Sequence, residues 1–204
     1  MNIDLSEMPP GQVYFTMTQA LIPRPIAWVL SENADGGHNL APFSYFSAVS
    51  SEPPLVMLSI GRRPDGTPKD TAANIAARSD FVVHIPHREV IEQVNQSAAS
   101  LPVGDSEVEA LGLALEPFPG SRLPRLAKSR LAMACELYEI QEIGAAPQSL
   151  VFGRVKRLYL DDGIARQEEG GRLKISAGRL DPLGRLGAGE YMGMGEIIEL
   201  ARPK

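Results

Sequence analysis

Apolar and polar positions change period several times along the chain, and each change marks an element. The runs "QVYFTM" (12–17) and "IAWVLS" (26–31) are short, rich in β-branched and aromatic residues, and predicted as strands. Between them lies "TQALIPRP", where Pro23 and Pro25 restrict the connection. Pro25 fits only where a missing amide is harmless, at a strand's start or edge. "ENADGGHN" reads as a turn, and "LVMLSIG" as a strand that opens after the ladder-breaking pair Pro53-Pro54.

In the middle of the chain the period lengthens. A helix is predicted to open near Pro68 or Asp70, capped by Thr67 or Asp70 and carried by Ala72, Ala73, Ile75, Ala76 and Ala77. "FVVHIP" is a strand, "REVIEQVNQSA" a helix with Val90, Ile91 and Val94 on one stripe, and "SEVEALG" a short helix. From Leu131 long strands return in "LAMACELYEIQEI" and "SLVFGRVKRLYL", followed by a glycine-rich end. With no convincing internal repeat, residues 1–204 are predicted to form a single, mainly β domain with peripheral helices, and the number of strands favours a barrel over an open sheet.

One stretch fits neither period. In "NLAPFSYFSAVSS" hydroxyls recur at Ser44, Ser47 and Ser50, with Phe43, Tyr45 and Phe46 crowded among them. Such a segment is apolar enough to be inside and polar enough to need partners there.

Composition narrows the function. The 204 residues carry a formal net charge of -5, which argues against a polyphosphate partner, so no nucleic acid is expected. The basic cluster Arg122, Arg125, Lys128 and Arg130 reads as a solvated loop or interface edge, with an anion-facing patch as the alternative. A lone Cys135 supplies neither an intramolecular disulfide nor a thiolate cluster and reads as a small buried hydrophobe. The N-terminus lacks the features of a signal peptide and no apolar run is long enough to span a bilayer, so no membrane association and a cytoplasmic location are expected.

The usual phosphate fingerprints, GxxxxGK[ST] and GxGxxG, are absent. A different anion site is suggested by Lys69 and Thr71 at the start of the predicted helix, with Arg62 and Arg63 just upstream; routine capping beside exposed arginines explains the same residues. His84 and His87 straddle a strand-to-helix junction without the ligands that would complete a metal shell, so no metal is expected and His84 reads as a strand or pocket side chain. Ser44, Ser47 and Ser50 lack a glycine elbow, which favours hydrogen bonding over nucleophilic attack.

Four ordered segments, "PRPIAWVLS", "DGGHNLAPFSYFSAVSSEPP", "KDTAANI" with "DFVVHI", and "LDPLGRLGAGEY", resemble the flavin reductase-like family of FMN-binding split-barrel proteins, over about residues 22–198. The resemblance implies a Greek-key split β-barrel that forms a homodimer and holds FMN near the subunit interface. Carried onto this chain, it places Asn39 to Ser50 along the flavin: Pro42, Phe43 and Ser44 at the ring, and Ser47, Ala48, Val49 and Ser50 nearer the ribityl and phosphate. Lys69, Asp70 and Thr71 match phosphate-proximal positions, Arg62 is added to them, and the "PRP" match adds Arg24. No protein residue is assigned a catalytic acid, base or nucleophile role.

On this resemblance NADH or NADPH is the hydride donor, and the electron acceptor is a small molecule or a partner monooxygenase. The segment 87–120 exceeds the short flavin-reductase type and is expected to shape a substrate pocket or cover the flavin, while "GRLGAGEYMGM" is placed within reach of a partner's pocket. Two other readings compete: a non-enzymatic FMN-binding or sensing module, and a dimerisation barrel without cofactor.

Overall fold

The computed structural model describes residues 1–145, 147–201 and 203. A short 3-10 turn leads into helix α1 (Pro10–Ala20), followed by strands β1 (Arg24–Pro25), β2 (Ala27–Glu32), β3 (His38–Phe43), β4 (Phe46–Ser51) and β5 (Pro54–Ile60). Next come α2 (Asp70–Arg78), β6 (Asp80–His84), α3 (Ile91–Gln96), α4 (Glu107–Ala110), β7 (Leu115–Glu116) and β8 (Arg125–Leu126). The long strands β9 (Leu131–Ile143) and β10 (Gln148–Leu160) precede β11 (Ala165–Gln167), β12 (Leu173–Ile175), α5 (Ala177–Leu180), β13 (Gly184–Arg185) and β14 (Tyr191–Met192).

Seven strands form one antiparallel sheet in the order β3-β2-β6-β9-β10-β5-β4. Closure follows from connectivity. Six interstrand gaps of about 4.8 Å would hold β3 and β4 about 29 Å apart in a flat sheet. Yet β3 ends at Phe43 and β4 starts at Phe46, a span of at most about 11 Å. The sheet therefore curls until its edges meet, and at the corner Ser59 N–H donates to Tyr45 O at 2.8 Å, extending the β4–β5 ladder up to the connection from β3.

Two apolar clusters result. Ala27, Val29, Val56, Leu58, Phe81, Val83 and Val151 pack together with Ala72 and Ile75 of α2. On the alternate face of the same strands, Trp28, Leu30, Leu40 and Val82 are covered by Val90, Val94 and Val108 from the 87–120 segment. That covering segment is pinned by polar contacts: Ser106 Oγ donates to His38 O at 2.6 Å, and Glu107 Oε2 accepts from Leu40 N–H at 2.8 Å.

The expected strand at 12–17 is instead part of α1. A run this short carries no decisive period, and Pro10 in the helix's first turn costs no hydrogen bond there. At the other end the Arg24 guanidinium donates to Thr18 O and Leu21 O, two carbonyls that a helix C-terminus leaves free. The capping expectation for α2 also needs correction. Lys69 is the N-cap residue and no side chain caps it, while Thr67 Oγ1 donates to Asp65 and Asp70 pairs with Arg63. Helix α4 starts as expected, with Ser106 Oγ accepting from Glu109 N–H.

Most of the basic cluster is neutralised. Arg122 bridges Glu32 and Asp80, Arg125 pairs with Glu116, and Arg130 pairs with Glu89. Cys135 is 3% exposed, and burial pushes its thiol pKa well above the usual range.

Candidate functional site

Two contiguous hollows of about 440 and 370 Å³ form one groove along the β3 edge, sharing Pro42, Phe43, Arg62, Lys69 and Ala98. Each is within the size range of small-molecule sites. The polar end is built by α2 and the turn before it. Arg63 N–H donates to Thr67 O and Gly66 takes φ +84°, closing a loop that carries Arg62 back beside Pro68 and Lys69.

Charges at this end are unevenly spent. Asp70 is matched by Arg63, and Arg62 Nη2 reaches Glu142 Oε2 at 3.0 Å. Lys69 has no ion-pair partner among the described residues; its Nζ lies 6.0 Å from the centroid of the Phe43 ring. Arg62 Nε is buried without a hydrogen-bond partner. Lys69, Arg62 and an uncapped helix N-terminus thus border one hollow, a donor set suited to a phosphate monoester. Glu107 lines the same hollow, and burial raises its carboxyl pKa, with Asp70 and Asp105 contributing.

Asn39 and Thr71 are 3% and 1% exposed and meet at this end, with Asn39 Nδ2 donating to Thr71 Oγ1 at 2.8 Å. The other end is walled by Pro42, Phe43, Ser44 and Tyr45 on one side. Facing them are Tyr14, Asn95, Arg185 and Tyr191. Arg185 stacks over Tyr191 with 4.3 Å from its guanidinium carbon to the ring centroid, and its Nη1 is buried without a partner.

The groove therefore gathers Asn39, Pro42, Phe43, Ser44, Arg62, Lys69, Asp70 and Thr71. Arg24 does not line it. The Arg24 guanidinium is spent on Thr18 O, Leu21 O, Leu186 O and, through Nε, the Ser44 hydroxyl at 3.2 Å, so it fixes the seam beside the groove. Ser47, Ala48, Val49 and Ser50 lie on β4, exposed and outside the groove of their own chain.

Asn95, Gln148, Arg185 and Tyr191 are among the lining residues that had no place in the sequence-derived set. The last two belong to the "LDPLGRLGAGEY" segment that carries part of the resemblance, so a signal for them existed. Strands β13 and β14, held by β1, bring that segment to the groove of their own chain. From the 87–120 segment, Asn95, Ala98 and Leu101 line the groove.

The histidines stand apart. His84 is 1% exposed, its Nδ1 donates to Trp28 O at 3.0 Å, and its Nε2 accepts from Leu126 N–H at 3.0 Å. Burial drives its pKa from 6.5 down to about 4, so it is a neutral brace between β6 and β8.

A curled antiparallel sheet, plugged by one helix and bearing at its seam a groove with an aromatic wall and a phosphate-type donor end, defines a flavin-binding split barrel. The chain belongs to the flavin reductase-like family, whose flavin reductase like domain matches residues 18–180, and is an FMN-binding oxidoreductase of that family. The protein BH2278 of Halalkalibacterium halodurans is 36% identical over 207 residues, covering 100% of this chain and 97% of that protein. Nitrilotriacetate monooxygenase component B from Bacillus cereus is 33% identical with a TM-score of 0.90, covering 98% of each chain. The Pseudomonas fluorescens 2-nitrobenzoate 2-nitroreductase NbaA is 31% identical with a TM-score of 0.86, covering 100% of this chain and 96% of that one.

Proposed function

We propose that the protein takes hydride from NADH or NADPH onto groove-bound FMN and delivers the electrons to a small-molecule acceptor or to a partner monooxygenase. The observation that carries this reading is Lys69, without an ion-pair partner among the described residues, beside Arg62 and the uncapped start of α2 at one end of a groove walled by Phe43. Lys69, Arg62 and Thr71 hold the phosphate, with Asn39 orienting Thr71; Asp70 keeps Arg63 in place beside them. Pro42, Phe43 and Ser44 wall the ring, and Arg24 positions Ser44 through its hydroxyl. Bound FMN supplies the redox chemistry, so no side chain needs to act as a nucleophile. Arg185 and Tyr191 stand on the opposite rim, where a second substrate enters.

A monooxygenase partner is supported by the likeness to nitrilotriacetate monooxygenase component B, and a small-molecule acceptor by the likeness to 2-nitrobenzoate 2-nitroreductase.

The homodimer is part of the same reading. Tyr14, Phe15, Leu21 and Ile22 are exposed apolar residues on and after α1, and an open hollow of about 550 Å³ adjoins them along β4 and β5. A second copy covering that face would bring the exposed 47–50 stretch into a subunit seam. Sedimentation at several concentrations, with and without FMN, tests it.

The primary test is the absorbance spectrum of purified protein, followed anaerobically by NADH and then NADPH. Yellow protein that bleaches rapidly supports the proposal and identifies the donor. Yellow protein that neither nucleotide bleaches supports the non-enzymatic binding module, and colourless protein that refuses added FMN overturns the groove assignment.

A further inference from the structure

The groove carries more positive charge than its phosphate end requires. In a chain of formal net charge -5, the hollow of about 440 Å³ is lined by Arg62, Lys69 and Arg185 and, among the described residues, by no carboxylate. Arg62 reaches Glu142, and Lys69 stands where α2 begins. Arg185 lines this hollow but not the one beside Asp70 and Thr71, so its charge sits away from the phosphate end. It has no ion-pair partner among the described residues.

Local structure holds that guanidinium in place. Arg185 on β13 is paired with Tyr191 on β14, and this register sets its guanidinium carbon 4.3 Å from the Tyr191 ring centroid. Its Nη2 donates to Ala188 O, in the turn that joins the two strands. Tyr191 is tied in turn to the covering segment, its hydroxyl donating to Asn95 Oδ1 at 3.2 Å. A long side chain has thus already lost much of its freedom, so a ligand that meets it there gives up less entropy on binding.

A partly buried, fixed and unmatched positive charge in a cleft draws an anion to it. The phosphate of FMN does not meet that demand, because the donor set suited to it borders the other hollow. The surrounding walls are aromatic, with Phe43, Tyr45, Tyr14 and Tyr191 lining the same space, and they match a flat conjugated body. A planar guanidinium is in turn suited to a planar carboxylate.

We infer that the small-molecule acceptor of the proposed function binds as a flat organic acid, an aromatic or conjugated carboxylate, and that Arg185 selects it by charge. The inference rests on FMN occupying the groove with its phosphate at Lys69. Arg185 determines specificity and takes part in no transfer of protons or electrons: it holds the carboxylate while the aromatic walls take the ring. The nicotinamide donor, also an anion, meets the same guanidinium in its own turn. A neutral analogue of the acceptor leaves Arg185 unmatched and binds more weakly.

Benzoate and benzamide share size and flatness and differ in charge. Each is titrated into FMN-saturated protein by calorimetry and by the flavin absorbance band, which shifts when the probe settles against the ring. One benzoate per chain is expected, with the same midpoint in both readouts and benzamide about tenfold to a hundredfold weaker, the range of one charge-assisted hydrogen bond. Arg185→Gln should bring benzoate down to the affinity of benzamide and leave FMN affinity within about twofold. Equal affinity for the two probes, benzoate binding that leaves the flavin band unmoved, or a preference that survives Arg185→Gln would each overturn the inference. The two-probe comparison on the unaltered protein decides whether the site selects an anion even if the variant does not fold. Protein that takes up no FMN overturns the inference together with the proposed function, whereas protein that takes up FMN and ignores the charge of the probe overturns the inference alone.

Discussion

Asn39 on β3 donates to Thr71 on α2 at 2.8 Å, with both residues almost fully buried. The bond leaves the Thr71 hydroxyl hydrogen free to donate into the groove, and it fixes the helix start against the barrel edge. Asn39 Nδ2 also reaches Ser31 Oγ at 3.3 Å, and Asn74 reaches the same oxygen at 3.3 Å, so one small polar network joins β2, β3 and α2. Asn39→Ala is expected to cost about 1–3 kcal/mol in urea unfolding, because buried partners lose a bond without gaining water. In a double-mutant cycle with Thr71→Val the two changes should couple by at least about 0.5 kcal/mol. Additive effects would show that the pair does not act as a unit.

Lys69 tests the phosphate end. Its ammonium has no ion-pair partner among the described residues and faces a hollow whose acidic neighbour Asp70 is matched by Arg63. Lys69→Ala should weaken FMN about tenfold to a hundredfold, the cost of one charge-assisted hydrogen bond, and leave riboflavin affinity unchanged. Fluorescence titration with both flavins measures the difference. Equal losses for the two would place the phosphate elsewhere.

Arg185 tests the opposite rim. Its Nη1 is buried without a partner at the groove wall, and its guanidinium already rests on Tyr191. Arg185→Gln is expected to raise the KM for the nicotinamide donor several-fold and to change FMN affinity by less than about twofold, since the phosphate donors are untouched. Steady-state kinetics beside an FMN titration separates the two effects. A loss confined to FMN affinity would move Arg185 to the cofactor.

How much of this was legible in the chain depends on the range of the interaction. The long strands at 131–143 and, to within one residue, 149–160 follow from local pattern, and so does a short helix within "SEVEALG". Lys69, Thr71 and Phe43 could be selected because their residue types announce anion and ring binding. The fate of Arg24 could not be read this way. Its guanidinium is spent on carbonyls at positions 18, 21 and 186, and no spacing foretells the last of them. Helix α1 was misread as a strand because its apolar residues are split between a packed side and an exposed one. Val13 and Met17 are partly buried, whereas Tyr14 and Phe15 are exposed. Gln148 enters the groove only because β10 pairs with β5, which sets it beside Gly61.

Gly153 illustrates a constraint that only the folded barrel reveals. It sits on β10 where a register shift interrupts its pairing with β9, and an added Cβ would lie 2.3 Å from Phe81 Cζ. Phe81 is 1% exposed and packed within the core cluster. Gly153→Ala should therefore destabilise the protein by about 1–3 kcal/mol through overpacking. Phe81→Leu, costly alone, should recover part of that loss in combination, as read from urea midpoints at constant m. If Gly153→Ala unfolds at the unaltered midpoint, the close approach of Phe81 to the strand is not a real constraint.

His84 gives the fold a pH dependence whose sign is fixed by its burial. In the folded protein its pKa falls from 6.5 to about 4, so the unfolded chain binds the proton more readily between those values. The stabilising effect of a neutral His84 is complete above pH 6.5 and is lost progressively as the pH falls toward 4. About 3 kcal/mol is at stake across that window, at about 1.4 kcal/mol per unit. Glu107 has its pKa raised by burial and works in the opposite direction over its own range, so a single acid titration would mix the two. His84→Gln separates them. The variant starts less stable at neutral pH because it loses the bonds to Trp28 O and Leu126 N–H, but the gap to the unaltered protein should narrow as the solution is acidified. Urea midpoints measured from pH 7 to pH 4 follow that gap. Parallel curves would mean that His84 is not held neutral by its site, and the brace between β6 and β8 would need another explanation.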